Sequence, residues 1–92
     1  MGYEFEWNAA KAASNLKKHG VGFDEATTVF ADVQAINQPD PMHSQDELRF
    51  VLLGKSRSGR VLVVCYTERG SRTRLITSRP ASRKERRQYG AR

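Results

Sequence analysis

Two short, glycine-containing turn sequences in the second half of the chain constrain its fold more than any other feature. Residues 56–59 (Ser-Arg-Ser-Gly) and 68–71 (Glu-Arg-Gly-Ser) separate three segments, at 48–55, 60–67 and 73–78, that have the lengths of β-strands. The middle segment contains the longest apolar run of the sequence, Val61-Leu62-Val63-Val64-Cys65-Tyr66. Turns of this length and glycine content join neighbouring strands in hairpins. The pattern therefore predicts an antiparallel meander of three strands.

The first half of the chain predicts a strand followed by two helices. Residues 3–7 alternate aromatic and acidic side chains, which is typical of a half-buried strand with Phe5 and Trp7 in the core. Asn8 can cap a helix over residues 9–19, which ends at Gly20, and a second helix covers residues 23–31. Each helix has an apolar face that can pack on a sheet: Ala9, Ala12, Ala13 and Leu16 on the first, and Phe23, Ala26, Val29 and Phe30 on the second.

The remaining segments complete an α+β pattern. Residues 37–47 contain two prolines and are expected to form a loop. Pro80 ends the last strand, and Ser82 with Glu85 predicts a capping box that starts a short C-terminal helix at Arg83. We therefore expect one α+β domain over residues 1–92, in which an N-terminal strand and two helices pack on a mainly antiparallel sheet.

Composition argues against several classes of protein. No apolar run approaches the roughly 20 residues of a membrane-spanning helix, and the acidic, aromatic N-terminus is unlike a signal peptide. The single cysteine, Cys65, lies in the apolar run, so we interpret it as a reduced core residue of a cytoplasmic protein. Phosphate-binding glycine loops, His-Glu-x-x-His sequences and cysteine pairs are absent, and His19 and His43 have irregular spacing for a metal site. We expect no cofactor and no metal.

Charge is distributed very unevenly along the chain. Residues 1–47 contain three lysines and eight carboxylates, a net charge of −5, whereas residues 48–92 have a net charge of +11. All eleven arginines lie in this second half. The planar guanidinium fork binds phosphate at two points, so this composition favours nucleic acid as the partner over a face that is basic only for solubility.

The arginines also suit one kind of catalysis. RNA supplies its own nucleophile, the 2′-hydroxyl, so a ribonuclease without a metal needs a proton acceptor, a proton donor and cations for the phosphate. Arg72 and Arg74 are expected on one face of the last strand, with Leu75 on the other. Arg83, Arg86 and Arg87 crowd one turn of the last helix. Such a set could surround one phosphate, or it could line a groove that binds nucleic acid without catalysis.

Several stretches occur together in an order and spacing that point to one family. They include Phe5-Glu6-Trp7, Lys18-His19-Gly20-Val21, Val29-Phe30-Ala31-Asp32, His43-Ser44, Thr67-Glu68-Arg69, Arg74-Leu75-Ile76 and Ser78-Arg79-Pro80-Ala81. In these stretches, and over almost its whole length, the sequence resembles the BrnT toxins of bacterial toxin–antitoxin pairs, which have a RelE-like ribonuclease fold. The resemblance implies a metal-independent endoribonuclease that blocks translation by cutting RNA.

The resemblance also implies a partner. This is an antitoxin like BrnA, which carries a ribbon-helix-helix DNA-binding domain and covers the toxin. Because ribbon-helix-helix domains are dimers, a 2:2 complex is expected to bind operator DNA through the antitoxin and to repress its own operon.

Charge, position and resemblance together give the candidate site residues. Arg79 follows a strand and precedes Pro80, which restrains its backbone, and His43 belongs to a residue type that titrates near neutrality. The expected catalytic residues are Arg79, His43, Arg60 and Arg74, and the expected RNA-binding residues are Lys18, His19, Arg69, Arg72, Arg83 and Arg86. Two alternatives are a basic RNA- or DNA-binding module without catalysis and a scaffold whose arginines receive an acidic partner segment.

Overall fold

The centre of the fold is a five-stranded mixed sheet in the strand order β1-β5-β4-β3-β2. A computed structural model describes residues 3–91 of the chain. The strands are β1 (Glu4–Glu6), β2 (Ile36–Pro39), β3 (Arg49–Lys55), β4 (Val61–Arg69) and β5 (Arg72–Pro80). All neighbouring strands are antiparallel except β1 and β5, which are parallel. The predicted meander is confirmed as β3-β4-β5, although the second turn is shorter than the predicted residues 68–71, because β4 extends to Arg69 and β5 begins at Arg72.

Three helices flank this sheet. They are α1 (Ala9–His19) and α2 (Phe23–Thr27), which cover what we term the inner face, and α3 (Arg83–Gly90), which packs against part of the outer face. The Asn8 side chain accepts a hydrogen bond from the Lys11 amide, and Gly20, with φ of 70°, ends α1 as predicted. The predicted capping box at the start of α3 is present. The α+β class is therefore confirmed.

The second predicted helix is only partly α-helical. The segment predicted as residues 23–31 is an α-helix to Thr27 and then a 3₁₀ turn over Thr28–Ala31. The hydroxyl groups of Thr27 and Thr28 donate hydrogen bonds to the carbonyls of Asp24 and Glu25. Such side-chain bonds compete with the regular backbone pattern, and the helix tightens at this point.

The prediction of a loop over residues 37–47 is wrong at its start. Ile36–Pro39 forms β2, an edge strand in which Ile36 pairs with Leu53 and Pro39 pairs with Phe50. A proline is compatible with the end of an edge strand, where no ladder needs its missing amide proton. The local residues favour a turn, and pairing with the apolar strand β3 overrides that preference.

The main core lies between the inner face and the first two helices. Its buried residues are Val21, Phe23, Ala26, Val29, Leu52, Leu62, Val64, Tyr66 and Leu75. Phe5 packs against this core and contacts the ring of Phe30 at a centroid distance of 5.0 Å. A smaller apolar cluster of Leu53, Val63 and Ala81 lies on the outer face beside α3.

Three expected core residues are more exposed than the sequence predicts. Leu16 is 54% exposed and Trp7 is 37% exposed, although the Trp7 ring still contacts Phe23. Cys65 is only partly buried and lies in the outer face, because it pairs with Val51 and Thr77. The first helix instead buries a polar residue.

That buried residue is Asn15, whose side chain makes hydrogen bonds to β5 that a neighbouring strand would otherwise make. Strand β1 pairs with β5 only as far as Arg74, so among the described residues 3–91 the rest of β5 has no strand neighbour on that side. The Asn15 side-chain amide donates to the carbonyl of Ser78 at 2.8 Å and to that of Val21 at 3.0 Å. Its oxygen accepts from the Ser78 amide at 3.1 Å. Asn15 therefore satisfies the open edge of β5 and ties α1 to it.

Strand β5 also contains a β-bulge. Cys65 pairs with Thr77 and Tyr66 pairs with Leu75, so Ile76 has no partner in β4. The bulge changes which residues face each side of the sheet, because one extra residue interrupts the alternation. Arg74 and Arg79 both lie on the outer face as a result, although five positions separate them.

A candidate nucleic-acid interface on the outer face of the sheet

Four arginines cluster on the half of the outer face that lies away from the apolar cluster beside α3. Strand register places Arg74, Thr67 and Arg49 in one row across β5, β4 and β3, and places Arg69 opposite Arg72 in the next row. With strands about 4.8 Å apart, the Cα atoms of Arg49 and Arg74 are separated by roughly 10 Å. We refer to Arg49, Arg69, Arg72 and Arg74 as the four-arginine cluster.

Two carboxylates each bridge a pair of these arginines. Glu6 lies 2.9 Å from Arg74 and 3.5 Å from Arg72, and Glu47 lies 3.3 Å from Arg69 and 3.9 Å from Arg49. The hydrogen bond from Arg74 holds the pKa of Glu6 below its usual value. The Glu6 carboxylate is therefore ionised at neutral pH. With four arginines and two carboxylates, the cluster has more positive than negative charge.

A pocket of about 440 Å³ adjoins the cluster and contains His43. We call it the His43 pocket; its lining residues are Met42, His43, Gln45, Asp46, Glu47, Arg49 and Arg69. His43 ends a 3₁₀ turn, Pro41–His43, and its side chain is 65% exposed. Its Nδ1 atom lies 2.9 Å from the Asp40 carboxylate, which fixes the orientation of the ring. The pocket brings His43 beside two members of the four-arginine cluster.

Arg79 lies further along the same face, next to α3. Its guanidinium donates to both oxygens of Glu85, at 2.8 and 2.9 Å. This pair, together with the capping bond from the Ser82 amide, lowers the pKa of Glu85 to about 2. Arg79 is five positions from Arg74 along the strand, a distance of roughly 15 Å. Arg79 therefore shares the face of the cluster and lies outside it.

Arg60 lies in a different part of the molecule. It precedes β4 at the opposite end from Arg69, roughly 30 Å away along the strand. Its guanidinium donates two hydrogen bonds to Glu25, at 2.7 and 2.9 Å, and one to the carbonyl of Gly20 at 2.8 Å. These bonds from Arg60 lower the pKa of Glu25 to about 2. Arg60 thus fastens the β3–β4 hairpin to the junction between α1 and α2.

The other predicted RNA-binding residues are dispersed. Lys18 and His19 line a shallow depression of about 220 Å³ between α1 and β5. On α3, Arg83 is exposed and Arg86 donates to the carbonyl of Ala81 at 2.9 Å. Of the ten predicted site residues, Arg69, Arg72 and Arg74 belong to the four-arginine cluster, and His43 shares the adjoining pocket with Arg69.

Arg49 is a member of the cluster that sequence reasoning did not select. Its position follows from the turn at residues 56–59, because the register of the β3–β4 hairpin places it opposite Thr67. The register of the next hairpin places Thr67 opposite Arg74. Both turns are recognisable in the sequence. The strand register that follows from them places Arg49 in the same row as Arg74, so it could have identified Arg49 as a site residue.

Two further features concern metal sites and membranes. Within residues 3–91, no three His, Cys, Asp or Glu side chains are arranged to hold a metal ion. No helix in this part of the chain is long and apolar enough to span a bilayer.

Comparison with known proteins identifies the family. Residues 7–85 match the sequence profile of the family described as ribonuclease toxin, BrnT, of type II toxin-antitoxin system. The fold is similar to the crystal structure of the Brucella abortus ribonuclease toxin BrnT, with a TM-score of 0.69 and 21% sequence identity. That alignment covers 89% of this chain and 100% of the Brucella chain. A search of curated proteins found no match. Because the profile covers most of the sequence, the chain belongs to the BrnT family of ribonuclease toxins, whose type II toxin–antitoxin systems imply an antitoxin partner.

Proposed function

We propose that this protein is an endoribonuclease that cuts RNA without a metal ion and thereby blocks translation. The ribonuclease class comes from the family. The observation that carries the finer proposal is the position of the four-arginine cluster beside the His43 pocket. Arginine cations can bind a phosphate and stabilise the charge that develops on it, and an imidazole can transfer the proton.

In the proposed reaction the RNA 2′-hydroxyl attacks the neighbouring phosphorus atom. The hydroxyl proton goes to Nε2 of His43, which carries the lone pair of the ring when Nδ1–H donates to Asp40. The new O–P bond closes a 2′,3′-cyclic phosphate, and the bond to the 5′-oxygen breaks. That oxygen takes up a proton from solvent water and leaves as a 5′-hydroxyl, and His43 returns its own proton to solvent. Arg74 and Arg69 stabilise the negative charge on the phosphate during attack.

Arg79 and Arg60, the other predicted catalytic residues, receive different proposed roles. Arg79 shares the outer face, so it can bind a flanking phosphate of the same RNA strand after release from Glu85. Arg60 is bound at three points far from the His43 pocket, and we propose that it holds the fold. A catalytic Arg79 stays a prediction that kinetics can decide.

A cleavage assay in EDTA tests the reaction. We expect RNA to be cut into products with a 2′,3′-cyclic or 3′-phosphate and a 5′-hydroxyl. A substrate with one 2′-deoxynucleotide should resist cleavage at that position, because the nucleophile is missing. Cleavage of DNA, 5′-phosphate products, or a requirement for a divalent ion would contradict the mechanism. Binding of RNA without cleavage would instead support a nucleic-acid-binding module.

Kinetic variants test the assignment of residues. His43→Ala and Arg74→Ala should each lower kcat by about 100-fold or more, because each removes a group that acts on the reacting phosphate. Arg79→Ala should mainly raise KM. The control is Arg57→Ala, in the exposed β3–β4 turn, which should retain nearly full kcat. If Arg79→Ala abolishes kcat and Arg74→Ala does not, the scissile phosphate lies at Arg79.

The antitoxin partner is the last part of the proposal. We propose a BrnA-like ribbon-helix-helix antitoxin that covers the arginines of the outer face and forms a 2:2 complex, which binds operator DNA through the antitoxin. Charge attraction should make the association rate fall as the salt concentration rises. Co-expression followed by mass measurement tests the stoichiometry, and a 1:1 heterodimer would contradict it. A complex that cuts RNA at the full rate would show that the antitoxin binds elsewhere.

A further inference from the structure

The His43 pocket is lined by Arg49, one of whose donors, Nε–H, is not used. Among residues 3–91, the Nε atom of Arg49 is buried and has no hydrogen-bond partner. Its nearest carboxylate oxygen, on Glu47, is 3.9 Å away, which is too far for a hydrogen bond. A buried donor without an acceptor is unfavourable, because it has lost its hydrogen bonds to water. The pocket is therefore short of one acceptor where Arg49 lines it.

The Glu47 carboxylate lies between Arg69 and Arg49 and makes a close ion pair with neither of them. One of its oxygens is 3.3 Å from Arg69 and the other is 3.9 Å from Arg49. The carboxylate belongs to the segment that joins the Pro41–His43 turn to β3, so the chain limits how closely it approaches both cations. An anion that is not part of the chain has no such limit. By contrast, Glu6 makes a close 2.9 Å contact with Arg74.

We propose that the His43 pocket is a phosphate subsite that Glu47 occupies when RNA is absent. An RNA phosphate displaces the Glu47 carboxylate and accepts hydrogen bonds from Arg69 and from Nε of Arg49. The negative carboxylate therefore competes with substrate and weakens RNA binding. This inference rests on RNA being the substrate, and it adds Arg49 as a binding residue and Glu47 as a competitor.

RNA binding is measured with a 2′-O-methyl oligonucleotide, which cannot be cut by the proposed reaction. Glu47→Gln should tighten binding about fivefold or more relative to Glu68→Gln, because the competing charge is removed from the pocket. Glu68→Gln is the matched control. It changes the net charge equally and neighbours Arg69 in sequence, but its carboxylate accepts from Thr73 and does not line the pocket. Inorganic phosphate should raise the melting temperature of Glu47→Gln more than that of the control.

A second variant tests the hydrogen bond and preserves the charge. Arg49→Lys keeps the cation and loses the Nε donor, so RNA binding should weaken about fivefold while its salt dependence stays the same. Equal affinities of Glu47→Gln and Glu68→Gln, or an unchanged affinity of Arg49→Lys, would overturn the subsite. If the variants behave as expected and the native protein does not cut RNA, only the proposed catalysis fails. If the native protein cuts RNA but the variants show none of these changes in affinity, only the subsite is overturned. If the native protein does not bind RNA, both the subsite and the proposed function are overturned.

Discussion

Replacement of Asn15 by alanine should destabilise the protein far more than its place on a surface helix suggests. The side chain bonds three backbone groups, the amide and carbonyl of Ser78 and the carbonyl of Val21. Asn15→Ala removes all three bonds at a residue that is only 6% exposed. At about 1 kcal/mol for each hydrogen bond, the loss is about 3 kcal/mol, and unpaired buried groups add to it. The higher helix propensity of alanine offsets about 0.5 kcal/mol of this loss in stability.

We therefore expect Asn15→Ala to lower the free energy of unfolding by about 3–4 kcal/mol. Small domains have total stabilities of about 5–15 kcal/mol, so the variant should unfold at a clearly lower urea concentration. Urea titrations followed by circular dichroism measure the change. Leu16→Ala is the control on the same helix, since Leu16 is 54% exposed, and it should change stability by less than about 1 kcal/mol.

Asn15→Asp separates hydrogen bonding from shape. The carboxylate has the same size and can accept from the Ser78 amide, but it cannot donate to the two carbonyls. At neutral pH this variant should be at least as destabilised as Asn15→Ala. A loss below about 1 kcal/mol for Asn15→Ala would refute the view that this side chain completes the edge of β5.

Three further predictions concern stability at low pH, close packing at Gly54 and backbone strain at Gly59. Hydrogen bonds from arginines lower the pKa values of Glu25 and Glu85 to about 2 from 4.5, so their stabilisation is complete above pH 4.5 and is lost as the pH falls toward 2. In Glu25→Gln the melting temperature should therefore fall less steeply between pH 4.5 and pH 2 than in the native protein. An unchanged dependence of the melting temperature on pH would contradict the assignment. Gly54→Ala should destabilise by about 1–3 kcal/mol, because its Cβ would lie 2.8 Å from that of Ala35 and 2.9 Å from Cγ1 of Val29. A neutral effect in urea titrations would show that these two residues can move away. Gly59→Ala, with φ of 94° in open space, should lose about 1 kcal/mol by backbone strain alone, and a larger loss would indicate contacts.

The parts of the fold that the sequence predicts correctly depend on neighbouring residues. The two glycine turns, the Asn8 cap and the capping box at Ser82 are each set within four residues, and each is present. Strand β2 was missed because its residues are polar and its pairing partner, β3, decides its conformation. The role of Asn15 was missed for a similar reason, since it depends on how far β1 extends along β5.

In the candidate site, too, the features set by neighbouring residues are predicted correctly and those set by distant residues are not. Charge and alternation correctly place Arg72 and Arg74 on one face of β5. The pairing of Arg60 with Glu25 joins residues 35 positions apart, and no local pattern reveals it. Long arginine side chains find carboxylates that the three-dimensional fold brings near, so the number of arginines free for a ligand is smaller than the sequence count suggests.

The extra residue in β5 gives this strand one residue more than its pairing with β4 requires. Before Ile76 the odd-numbered residue Leu75 faces the helices, and after it the even-numbered Ser78 does. Deletion of Ile76 would therefore leave a regular strand, in which Leu75 and Thr77 keep their partners Tyr66 and Cys65. Arg79 would stay on the outer face, and Ser78 would stay beside Asn15. Strand β4 pairs with β3 without such an excess, so deletion of a residue from β4 should be tolerated far less well, because it would exchange the sides of everything that follows.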